Sequence, residues 1–71
     1  MDSTQFKRAL SGLMDKYVQR YRKIEQERIE AKKEDDVQGE LTCEAMKRQI
    51  SKMIAELYIV QKELGFIEEE D

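Results

Sequence analysis

Between Cys43 and Ile67 the apolar residues fall at Cys43, Met46, Ile50, Met53, Leu57, Val60, Leu64 and Ile67, with spacings that alternate three and four without a break. That is the a/d pattern of a heptad repeat, and no strand alternation competes with it. A stripe of this kind leaves the chain few options: it must lie on a helix, and the helix must pack against another. Ile54, Tyr58 and Ile59 lie outside the repeat and widen the apolar face. A helix with one neighbour needs only the seam, so the extra width predicts a second contact surface, as in a bundle.

This second helix is expected to start at Thr42, a good N-cap, with Leu41 and Met46 placed as a hydrophobic staple and Glu44 in the first turn. Gly65 followed by Phe66 has the form of a C-terminal cap with its hydrophobic contact. Residues 67–71 then form a short acidic tail, expected to fray.

A first helical run is read from about residue 4 to residue 35, starting at Asp2 or Ser3, with Asp2 and Gln5 spaced as a capping box. Phe6, Leu10, Leu13 and Tyr17 step by four, three and four, and Tyr21 and Ile24 carry the same face onward. Met14 and Val18 lie beside it. Gly12 interrupts the run at a cost of roughly 1 kcal/mol against alanine, and simple tolerance is favoured over a close helix approach. After Ile24 the stripe fades into Glu25 to Asp36, read as an exposed helix held by weak surface ion pairs.

The best break is residues 36–41, where Gly39 is suited to a left-handed turn. So short a connection returns the chain antiparallel to itself. With the turn centred near residue 38, Tyr17 should face Ile59, Tyr21 should face Ala55, Ile24 should face Met53 or Lys52, and Leu10 should lie near Phe66. The apolar surface then concentrates at the base of the hairpin, away from a charged, thinly packed tip. The expected fold is all-α: one domain over residues 1–71, an antiparallel two-helix hairpin of coiled-coil type, with helices over about 4–35 and 42–66.

Seventy-one residues rarely bury enough apolar area to hold a fold comfortably by themselves. Small folds add disulfides, a metal or a partner. Cys43 is the one cysteine and histidine is absent, so no intrachain disulfide is possible and a structural zinc site is poorly served. A protein partner remains. A second copy, closing a four-helix bundle, is the simplest, and a foreign helical protein is the alternative. The expected interface takes Leu10, Leu13, Met14, Tyr17, Tyr21 and Ile24 from the first helix. From the second it takes Met46, Ile50, Met53, Ile54, Leu57, Tyr58, Val60 and Leu64. The tyrosines suit a seam in which the ring is buried and the hydroxyl reaches the rim. Met14, Met46 and Met53 are read as core filler in preference to an adaptable surface.

Charge offers a second reading. The chain holds 13 lysines and arginines against 16 acids, a net −3. Bases concentrate between Lys7 and Lys23, and Lys16, Arg20, Arg22 and Lys23 form a candidate nucleic-acid patch. The negative total and the acidic tail expected beside that patch argue against it. Pairing of charges within or between copies, which fixes helix orientation, is preferred.

Catalysis finds no support. Without histidine the usual proton-transfer group is missing, and the three glycines are isolated, so no phosphate loop occurs. Cys43 lies on the apolar stripe, where a thiol acts as a small hydrophobe. No catalytic, cofactor or metal residue is expected. Neither a signal peptide nor an apolar run of membrane-spanning length is visible, and the expected location is cytoplasmic. The function expected is that of a small non-enzymatic interaction module: an adaptor, a co-chaperone or a regulator.

Overall fold

A computed structural model describes residues 3–67. Two helices, α1 (Ser3–Lys33) and α2 (Val37–Glu63), pack against each other as an antiparallel hairpin. The whole measures 49 × 27 × 16 Å. Asp2 and the acids after Ile67 lie outside the described residues, and with them the capping box and the acidic tail.

The connection is three residues long and comes earlier than the composition implied. α1 closes in a Schellman motif: the Asp36 amide donates to the Ala31 carbonyl at 2.8 Å and the Asp35 amide to the Lys32 carbonyl at 3.2 Å. Asp35 takes the left-handed conformation this needs, at φ 57°. Aspartate is one of the few residues besides glycine that enters that region routinely. Asp36 then caps α2, its carboxylate accepting from the Gly39 amide at 3.0 Å. Gly39 is therefore in the first turn of α2 and not in a left-handed turn. What its missing side chain permits is close approach, because a Cβ there would sit 2.8 Å from the Asp36 Cγ.

Thr42, expected as the cap, is inside α2, and its hydroxyl donates to the Gln38 carbonyl at 2.8 Å. Leu41 and Met46, expected as the staple, both lie inside α2 and stand exposed. The acid in the first turn is Glu40, not Glu44. At the far end the expected cap is present: Gly65 has φ 76°, with the Phe66 amide donating to Gln61 and the Gly65 amide to Lys62.

The earlier turn moves the register. Phe6 meets Phe66 edge to face, with ring centroids 6.1 Å apart, and Glu25 pairs with Lys47. Tyr21 therefore lies against Lys47 and not Ala55. Ile24 packs with Cys43 and Ile50 in place of Met53 or Lys52, and Tyr17 flanks that cluster instead of facing Ile59.

The seam of α2 is also rotated. Apart from Gly39 and Glu44, its buried and half-buried residues run Glu40, Cys43, Lys47, Ile50, Ile54, Leu57 and Gln61. They keep the three/four rhythm but shift it to one side of the apolar stripe. Cys43, Ile50 and Leu57 belong to both sets. Met46, Met53, Val60 and Leu64 do not, and they stand exposed. The cause lies on α1, where Glu25 and Arg28 occupy the seam and draw the charged Lys47 and Glu40 into it. The best-sealed apolar residues, Ile24, Ala31, Cys43 and Ile50, lie from the middle of the hairpin toward the turn, whereas the buried Gln61 lies toward the base. Tyr17, Tyr21 and Ile54 pack against the cluster of Ile24, Cys43 and Ile50. The expected contrast of sticky base and thin tip is thus reversed for burial, although the base does carry exposed apolar surface.

Candidate interaction surface

The hairpin has two flanks. On one, Leu13 and Tyr17 of α1 and Met53, Glu56, Leu57 and Val60 of α2 line a shallow apolar groove. Met46, Met53 and Val60 recur every seven residues and so share one side of α2. All three are about two-fifths exposed, and Phe6, Leu13 and Leu64 are as open.

The opposite flank is polar. Tyr21, Glu44, Lys47, Arg48, Ser51 and Lys52 line a depression there. Glu25 forms its inner edge. The Glu25 carboxylate accepts from Arg28 Nη2 at 2.6 Å and Nε at 3.2 Å, and from Lys47 across the seam. Arg28 also reaches Glu40 at 3.7 Å. The ammonium of Lys47 sits 5.2 Å from the centre of the Tyr21 ring. Hydrogen bonds from Arg28, and then from Lys47, hold the Glu25 carboxyl well below its ordinary 4.5, at about 2. The same contacts raise both bases above their usual values. The stretch read as merely exposed thus supplies the polar clamp of the seam.

Each expected contact residue has a place. Ile24 and Ile50 are buried in the seam, and Leu10, Met14, Tyr17, Tyr21, Ile54 and Leu57 are half-buried along it. Leu13, Met46, Met53, Tyr58, Val60 and Leu64 are uncovered. Met46 and Met53 therefore fill no gap within the hairpin. Ile54, expected to mark the second surface, belongs to the seam.

Lys16, Arg20, Arg22 and Lys23 are all exposed, and among the described residues none joins an ion pair. Among the described residues the charge pairing preferred for them does not occur, and the acids after Ile67 lie outside those residues. Cys43 is a buried free thiol in the apolar cluster. No group of acids and thiol suited to a metal ion occurs among the described residues. No helix there is long and apolar enough to cross a membrane.

Two seam features escaped the sequence reading: the clamp, and Gln61, which is buried at 5% exposure. A signal existed. Counting the three/four rhythm through polar residues gives Leu10, Met14, Tyr17, Tyr21, Ile24, Arg28 and Ala31 on α1. On α2 it places Lys47 and Gln61 in step with Cys43 and Ile50.

No family model matches this chain, and neither a curated protein nor a solved structure matches it.

Proposed function

We propose that this chain is a non-enzymatic protein–protein interaction module, a helical hairpin that works by packing its uncovered apolar flank on another chain. A second copy, giving a four-helix bundle, is the simplest partner. The observation that carries this reading is the imbalance of burial. Ile24, Ala31, Cys43 and Ile50 are the buried apolar residues, and no large side chain among those described is fully buried. Meanwhile Leu13, Met46, Met53, Val60 and Leu64 stay open to water along one side. A core this small does not offset the entropy of ordering some seventy residues. Covering that flank supplies the missing burial.

An adaptor, a co-chaperone or a regulator in the cytoplasm would each use such a surface. Sedimentation equilibrium tests the self-association. A mass near twice 8.5 kDa is expected. A cooperatively unfolding species of single-chain mass would overturn it.

The second reading is nucleic-acid binding through Lys16, Arg20, Arg22 and Lys23. It is favoured by one observation, that these bases are exposed and join no ion pair among the described residues. A salt titration decides it, because phosphate contacts strengthen as salt falls. No binding to DNA or RNA at low salt removes it.

A further inference from the structure

We infer that the groove between Leu13 and Val60 is closed by the same groove of a second copy, the two hairpins lying with their bases at the same end and α1 of each on α2 of the other. This rests on the self-association proposed above and adds the face, the orientation and the residues.

The occupant follows from supply and size. A hairpin whose own seam is too small needs its cover whenever it is folded, and a second copy is the one chain always present at matching concentration. The flank is also large enough. From Thr42 to Leu64 it runs some 30 Å and spans two helices, on the order of 600 Å² per copy and close to the ~800 Å² of a standard stable interface.

Charge decides the orientation. A two-fold interface on this flank has two forms. With the bases at the same end, α1 crosses onto α2 of the other copy at the same level. With the bases at opposite ends, α1 meets α1 and α2 meets α2. The cross-helix pairs Phe6–Phe66 and Glu25–Lys47 set the levels within one hairpin and place Lys16 level with Glu56. Glu56 lines the groove, and Lys16 lies one turn beyond Leu13 on α1. Neither has an ion partner among the described residues. The same-end form brings Lys16 of each copy to Glu56 of the other, twice by symmetry, with Leu13 against Val60 and Phe6 against Leu64. The opposite-end form, centred on the groove, gathers Lys16 and Arg20 of both copies together and sets Met46 against Val60. Like charges at an interface are disfavoured, and the same-end form has none there.

The test combines cross-linking with charge exchange on the full chain, with Cys43→Ala removing the native thiol. Chains carrying Leu13→Cys, mixed with chains carrying Val60→Cys, should form the mixed disulfide under mild oxidation. Met46→Cys mixed with Val60→Cys should not. In sedimentation equilibrium, Lys16→Glu and Glu56→Lys should each raise the dissociation constant about fivefold, and the double exchange should restore it. Leu13→Glu should raise it at least about tenfold, while Ile59→Glu, on the outer side of α2, leaves it unchanged. A dimer that instead cross-links Met46 to Val60, or that Ile59→Glu disrupts, overturns the orientation or the face and leaves self-association standing. A chain that stays monomeric at all concentrations overturns both.

Discussion

Glu25 on α1 and Lys47 on α2 are joined by a salt bridge across the seam, while Arg28, one turn along α1, grips the same carboxylate from the side. Two helices sliding past one another by a turn would break the Glu25–Lys47 bridge and the Arg28–Glu40 contact, while the Arg28–Glu25 pair, within α1, would survive. The bridge therefore fixes the register that an apolar seam of similar side chains leaves loosely specified.

This carboxyl predicts a pH dependence. Its folded value, about 2, lies below its ordinary 4.5, so the unfolded chain holds the proton more tightly. Stability then rises with pH across that interval. The contribution is fully present above about pH 4.5 and is lost as pH falls toward 2. Thermal unfolding at fixed chain concentration, followed from pH 6 to pH 2, should show a falling midpoint. Glu25→Gln should start lower and fall less steeply over that window. An unchanged slope would mean the clamp does not couple to folding.

Burial separates two isoleucines on α2. Ile50 is 6% exposed and Ile59 is 53% exposed. Ile50→Ala should cost about 2–5 kcal/mol, as large-to-small changes in a packed site do. Ile59→Ala should stay within about 0.5 kcal/mol, as an exposed change does. Denaturant unfolding of both variants at one concentration measures the difference. A loss below about 1 kcal/mol at Ile50 would remove it from the core.

The turn offers a gain. Asp35 holds a left-handed conformation and also puts negative charge at the C-terminus of α1, where the helix dipole disfavours it. Asp35→Gly relieves both and should add about 1 kcal/mol. The same substitution logic reversed, Gly65→Ala at φ 76°, should remove about as much. Parallel melts of the two variants check the signs.

The two helices, their antiparallel return and the Gly65 cap were legible because each depends on local chemistry: good helix formers, a short connection, a left-handed glycine. The position of the turn was not. Gly39 and Thr42 are the stronger signals by residue type, yet Asp35 and Asp36 supply both a C-cap and an N-cap within two residues. That error displaced the register and with it every facing pair. The side of the α2 stripe that meets α1 was hidden for a different reason. An apolar stripe this wide can seat a neighbour on either side, and what chose between them was polar: Glu25 and Arg28 on α1 drawing Lys47 and Glu40 inward. A reading that counted only apolar residues gave Met46, Met53 and Val60 to the seam, when they mark the flank it leaves open.

Gln61 tests how far the hairpin is complete by itself. It lies in the seam of α2 toward the base, buried, and among the described residues its Oε1 has no hydrogen-bond partner. A buried amide oxygen without a donor costs about 1–3 kcal/mol relative to one that is satisfied. Gln61→Met keeps the volume and removes that oxygen, so a hairpin whose seam is sealed as it stands should gain about 1 kcal/mol or more. A second chain closing over the flank supplies a donor only if the Gln61 amide turns outward from the seam to meet it, and in that case the same variant loses stability and weakens self-association together. Measuring unfolding and sedimentation on one preparation tells the two apart. A gain with unchanged association leaves Gln61 as an unsatisfied seam residue. A joint loss makes it a polar contact between copies, which fixes their alignment as a single buried amide does in other helical bundles.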